Sequence, residues 1–204
     1  MKPNIGINDA QRAAVIEILN TLLADEYLLY TKTRNYHWNV VGPQFNDLHK
    51  FFEAQYEALD GIVDEVAERT RALGGNALGT LAEFTQHARL KEQPGQHPDA
   101  KGMLTALLAD HEALIRSLRT DAEVVMDKHN DAGTNDFLVG LMEQHEKMAW
   151  MLRAFQELRA WPAPSSSSPK PASSGERPRI CRFSSSCPRP RDVRSWTRCR
   201  RVRR

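Results

Sequence analysis

YHWNVVGPQFNDLHKFFEAQYEALDGIVDEVAE, residues 36–68, decides how the chain is read. Gly42-Pro43 breaks it into the end of one helix and the whole of another. It holds four potential metal ligands, His37, His49, Asp64 and Glu68. Neutral imidazole and carboxylate suit a divalent transition metal such as iron or zinc. Asp64 and Glu68 are four apart and share a helix face. His49 precedes Asp64 by fifteen residues on the same expected helix. At ~1.5 Å per residue that is roughly 22 Å, whereas metal–ligand bonds are about 2 Å. One chain therefore cannot bring His49 and Asp64 to one ion. Either no shared site exists, or the histidines of one subunit meet the carboxylates of another. Two copies of the second helix packed antiparallel about a two-fold axis would form two identical sites.

Working outward, helices account for the chain as far as Trp161. Asn8 with Gln11 three residues later is a helix start of the capping-box type. Val15, Ile18, Leu19, Leu22, Leu23 and Tyr27 then recur at helical spacing, and the first helix should reach about Asn39. The second runs from about Phe45 to Leu73 and stops at Gly74-Gly75. Gly79, Pro94, Gly95 and Pro98 mark a long connection with one short helix near Leu81–Thr85. A third long helix takes Lys101 to about Lys128, with Leu104, Leu107, Leu108, Leu114, Ile115 and Leu118 as its stripe. Thr134 is the expected cap of the fourth, which ends before Pro162. Leu138, Leu141, Met142, Met148, Trp150, Met151, Leu152 and Phe155 are its expected buried face. No strand pattern competes. The fold class is all-α: a ferritin-like four-helix bundle whose second and third long helices are joined by one long crossover carrying a short helix.

The 204 residues divide in charge as well as in pattern. Residues 1–161 carry 16 Lys/Arg against 24 Asp/Glu, net −8, and residues 162–204 carry 12 against 2, net +10. Cys181, Cys187 and Cys199 all lie in the second piece, so no disulfide framework is built into the first. Two regions follow: a helical domain over 1–161 and a Ser/Pro/Arg-rich basic tail over 162–204 that lacks periodicity and is expected to be disordered. The change after Trp161 is abrupt enough to suit a shifted reading frame as well as a selected tail. There is no run of 18 apolar residues and no charged-then-apolar leader pattern, so a cytoplasmic protein without a membrane span is expected.

A bundle can also hold iron inside one chain, with Glu-x-x-His on two of its helices. This sequence contains no Glu-x-x-His, which argues against that arrangement and for the intersubunit one. His37 and His49 flank the Gly42-Pro43 turn and can approach each other in an antiparallel helix pair. His87, His97, His111, His129 and His145 read as surface or hydrogen-bonded histidines.

Residues 1–161 resemble the family of the DNA-binding protein from starved cells (Dps), ferritin-like miniferritins. NYHWNVVGPQFNDLHKFFEAQYEALDGIVDEVAER and LGGNALGT carry the resemblance, together with the helix order. It implies a hollow dodecamer, a homo-oligomer with a ferroxidase centre between two-fold-related subunits. It implies His37, His49, Asp64 and Glu68 as ligands of two ferrous or ferric ions per site, with zinc as an alternative resting occupant. It implies oxidation of Fe(II), preferably by hydrogen peroxide, and storage of the ferric mineral, protecting DNA from oxidative damage during starvation. Trp38 matches a tryptophan beside the centre that supplies an electron; packing is its plainer role. Two irons near one peroxide permit a two-electron reduction without release of hydroxyl radical, and the net −8 of the body attracts Fe(II). Glu53, one turn past His49, is either a mineral-nucleating or a solvated residue. Asp131 and Asp136 resemble acids lining the family's three-fold pores, although acids at a helix start also serve its dipole.

The tail, with Arg198, Arg200, Arg201, Arg203 and Arg204 near its end, should bind DNA through phosphates without reading sequence. Its composition is untypical of the family. The rival readings are a nucleoid-structuring DNA-binding protein whose metal site is secondary, and an inert helical scaffold.

Overall fold

Two helical hairpins make up the described part of the protein. A computed structural model describes residues 3–157, and within them all regular structure is helical. The first hairpin joins α1 (Asp9–Asn39) to α2 (Phe45–Ala72), and the second joins α4 (Ala100–His129) to α5 (Ala132–Gln156). The short α3 (Leu81–His87) lies in the crossover between them. No helix among the described residues is long and apolar enough to cross a membrane. The basic tail falls outside the described residues.

The helix ends follow from local chemistry. Asn8 and Gln11 exchange side-chain and backbone hydrogen bonds, the capping box expected at the start of α1. Thr80 and Glu83 do the same for α3, which runs two residues past its expected end. At the end of α2 the chain enters the left-handed region at Gly74 (φ 85°). The Gly75 amide then donates to the Thr70 carbonyl and the Gly74 amide to that of Arg71, closing the helix. α5 begins earlier than expected. Asp131, not Thr134, is its cap, accepting from the Thr134 amide at 3.0 Å. Thr134 Oγ1 accepts from Arg69 Nε and Nη2 at 3.0 and 2.8 Å, tying the end of α2 to the start of α5. Asp131 is 3% exposed and caps the helix, the plainer of its two expected roles, whereas Asp136 is exposed.

Leu19, Leu22, Leu29, Phe52, Leu59, Leu107, Leu118, Leu138 and Leu152 are completely buried, and the core runs the length of both hairpins. Burial of each such side chain contributes about 1.5–3 kcal/mol. The expected buried face of α5 needs correction. Trp150 is 61% exposed, and Met151 and Phe155 are also on the surface. The helix is apolar over more of its circumference than one chain covers.

One carboxylate makes three of the hydrogen bonds that fasten the crossover. Asp25, 1% exposed, accepts from the amides of Arg89 and Leu90 and from Arg89 Nε at 2.6, 3.0 and 2.7 Å. Arg89 reaches on to Asp121 of α4 at 2.8 Å. Further along, Lys32 pairs with Asp110 at 2.5 Å. These contacts occur in opposite order along α1 and α4, which are therefore antiparallel. Phe84 of α3 stacks on Tyr27 of α1, centroids 4.3 Å apart.

Candidate metal centre

The α1–α2 turn brings His37 and His49 together in a reciprocal clasp. Each imidazole Nδ1 contacts the other residue's backbone carbonyl, at 2.8 Å for His37 and 2.9 Å for His49. A carbonyl only accepts, so both Nδ1 atoms carry the hydrogen, and in the neutral rings both Nε2 lone pairs are free. Backbone hydrogen bonds at the second ring nitrogen are how metal-ligating histidines are held in one tautomer and one orientation. The rings stack with centroids 3.8 Å apart and 19° between planes. Phe45 stacks on the outer face of His49 and Tyr56 meets His37 edge-on, at 5.1 and 5.2 Å. Gly42, at φ 120°, provides the turn that makes the clasp possible.

Asp64 and Glu68 are not part of that clasp. Both are exposed, on the same α2 that carries His49, about four and five turns further on. Neither has a hydrogen-bond or ion-pair partner among the described residues. Among the described residues no three His, Cys, Asp or Glu side chains are placed to hold one metal ion. The histidine half and the carboxylate half of the expected ligand set thus lie well apart on one chain.

Trp38 stands beside the clasp with 65% of its surface exposed, so within one chain it packs little. The Arg34 guanidinium lies 5.5 Å from its ring and 5.3 Å from that of Tyr56, a cationic hub between aromatic faces. Burial, and then Glu53 and Glu57, push the Tyr56 phenol above its ordinary pKa. Tyr56 and Arg34 were not singled out from sequence; the one signal was Tyr56 lying one turn past Phe52 and two past His49. Val41 (74% exposed) and Phe45 (46%) complete an apolar rim around the histidines.

A second polar group lies inside the bundle. Glu26 of α1, His111 of α4 and His145 of α5 are each 0% exposed. The two histidines touch through their Nδ1 atoms at 3.0 Å. Burial, reinforced by His145, holds His111 well below the ordinary histidine range. His87 and His97 are on the surface as expected, whereas His111 and His145 are hydrogen-bonded core residues.

A four-helix bundle with one long crossover and inward polar groups defines the ferritin-like class, and the ferritin-like domain profile matches residues 16–160. A low temperature-induced protein of Nostoc sp., itself uncharacterised, is 53% identical over 154 residues, 76% of this chain and 86% of that one. The DNA protection during starvation protein 2 of Bacillus anthracis is 40% identical over 141 residues, 69% and 95% of the two chains. Among solved structures, the Dps protein of Vibrio cholerae O1 superposes with a TM-score of 0.71 at 29% identity, over 76% of this chain and 97% of that one. It is described as a member of a broad superfamily of ferritin-like diiron-carboxylate proteins. The chain belongs to the Dps family.

Proposed function

We propose that this protein is a peroxide-driven ferroxidase and iron store, active as a hollow homo-oligomer with two-fold-related subunits sharing each iron site. The observation that carries this reading is the His37–His49 clasp, with both Nε2 atoms free and, among the described residues, no carboxylate of the same chain placed to complete it. On an antiparallel two-fold packing of α2, Asp64 and Glu68 of the partner subunit supply the missing oxygen ligands. The exposed rim of Trp38, Val41 and Phe45 supports such a contact, because it leaves apolar surface that a second copy would cover. Iron is the substrate. Two Fe(II) ions give one electron each to hydrogen peroxide, forming two Fe(III) and two hydroxide ions. The chain's part is to hold the ions together in a mixed imidazole and carboxylate site that leaves positions open to the oxidant. Trp38, beside the site, is the candidate source of an extra electron when only one iron is present. The dodecamer, the cytoplasmic location and any zinc at rest belong to the same proposal.

The test is anaerobic Fe(II) titrated with hydrogen peroxide. The expected stoichiometry is two Fe(II) per peroxide, with His49→Ala and Asp64→Ala each slowing the reaction while the assembly's light-scattering mass stays unchanged. Collapse of the oligomer in either variant would make these residues structural and sink the reading. DNA binding through residues 162–204 is the second activity proposed, favoured by their net +10 against the net −8 of the rest.

A further inference from the structure

The bundle interior holds polar atoms that its own hydrogen bonds leave unsatisfied. Both carboxylate oxygens of Glu26, Nε2 of His111, Nε2 of His145 and Oε1 of Gln55 are buried without a hydrogen-bond partner. One of these residues comes from each of α1, α4, α5 and α2. An ionised carboxylate at zero exposure with no donor is costly, and such groups pair with a cation or coordinate a metal.

The geometry distinguishes these outcomes. His145 Nε2 lies 2.9 Å from Glu26 Oε1, yet the pair makes no hydrogen bond, so the ring's Nε2 axis is not aimed at the oxygen. Two donors each about 2.1 Å from one ion and subtending a right angle sit about 3 Å apart, with both lone pairs aimed at the ion rather than at each other. The other side of the His145 ring is already committed, Nδ1 to Nδ1 with His111 at 3.0 Å. If His145 Nε2 is a ligand, its neutral tautomer carries hydrogen on Nδ1 and donates to His111. That is the outer contact by which a protein orients a metal-bound imidazole.

We propose that Glu26 and His145 chelate one divalent transition-metal ion inside each subunit's bundle, with His111 as the positioning residue that orients His145. One carboxylate and one imidazole suit an ion of the iron, cobalt or zinc type. Gln55 Oε1 is the neutral oxygen that α2 offers in the same interior; its amide nitrogen is occupied by the Met148 carbonyl at 3.5 Å. The site is distinct from the clasp at the α1–α2 turn, uses no residue of it and needs no second subunit. Because the donors are fully buried, the ion enters as the chain folds, and its binding energy adds to stability.

The test uses the full chain carrying His37→Ala and His49→Ala, so that the intersubunit site contributes nothing. The protein is unfolded with chelator, refolded with Zn(II), dialysed against metal-free buffer and analysed for zinc. One ion per chain is expected, reduced to a small fraction by adding Glu26→Gln and, in a separate chain, His145→Phe. His111→Phe should weaken zinc retention without abolishing it. Absence of retained zinc, or retention that Glu26→Gln leaves unchanged, overturns the proposal. Crystals of the otherwise unsubstituted chain, grown from zinc-supplemented cells, guard against a variant that fails to refold. An anomalous zinc peak within bonding reach of both Glu26 and His145 is expected, and an interior without one rules the site out.

Discussion

Replacing Asp25 with alanine removes a buried carboxylate that pins the crossover to α1. Three hydrogen bonds disappear: those from the Arg89 and Leu90 amides and from Arg89 Nε. The cost of breaking a buried ion pair reaches about 3–5 kcal/mol when the partner is left without solvent. Here Arg89 is one-third exposed and keeps Asp121, so the charge it loses is largely compensated. What remains is the acceptor taken from two partly covered amides, at about 1–3 kcal/mol apiece if water cannot replace it. A net loss of about 2–4 kcal/mol follows, toward the lower end because Arg89 itself is on the surface. At roughly 2–4 °C per kcal/mol for a chain of this size, Tm should fall by about 4–16 °C. Urea unfolding and thermal melts at fixed protein concentration would measure it, since assembly shifts both. Asp25→Asn should fall between, because its carbonyl still serves the amides while its NH2 opposes Arg89. Limited proteolysis should cut the alanine variant faster within residues 88–99. A change below about 0.5 kcal/mol, the range of ordinary surface substitutions, would show that the crossover is held by its other contacts, Phe84 on Tyr27 and Asn20 with Asn76 and Leu78.

Three further outcomes are expected. Burial raises the Asp110 pKa against the opposing pull of Lys32, so the folded state holds that proton more tightly than the unfolded chain. Its contribution to stability is therefore present below the ordinary aspartate range and is lost as pH rises through the raised value. Asp110→Asn should flatten that part of the pH–stability curve relative to wild type, even if leaving Lys32 unpaired lowers the curve throughout; an unchanged slope would contradict the assignment. Gly74→Ala should cost about 1–2 kcal/mol in urea unfolding, because φ is 85° and the new Cβ would meet Pro3 at 2.8 Å. Truncation after Trp161 should abolish DNA retardation in a gel while leaving Fe(II) oxidation intact, and binding by the full chain should weaken with a log–log salt slope of about −0.9 per phosphate contact. Retardation by the truncated chain at low salt would place DNA binding elsewhere.

The helices were legible because caps and periodicity are local. Asn8-x-x-Gln11 and Gly74-Gly75 mark ends that the structure reproduces, and α1 and α2 end within a residue of where the pattern places them. Thr134 misled because threonine and aspartate both cap well and the Asp131-Ala132-Gly133-Thr134 stretch offers both. Trp150, Met151 and Phe155 misled for another reason: apolar spacing reports that a face is buried, not whether the same chain buries it. The approach of His37 to His49 could be anticipated from their places around Gly42-Pro43, whereas the carbonyl clasp that fixes their tautomers could not. Glu26, His111 and His145 were invisible as a group, since their meeting depends on the register of three helices. No short motif encodes that register.

The central claim is that each iron site is completed across a subunit boundary, and mixed oligomers test it most directly. One chain carries His37→Ala/His49→Ala and the other Asp64→Ala/Glu68→Ala; each alone should be inactive. After dissociation and reassembly at equal amounts, half the two-fold interfaces are mixed, and each mixed interface regains one of its two sites. Peroxide-driven Fe(II) oxidation should therefore return to about one quarter of the wild-type site count. Activity in the mixture no greater than in either variant alone would contradict the shared site.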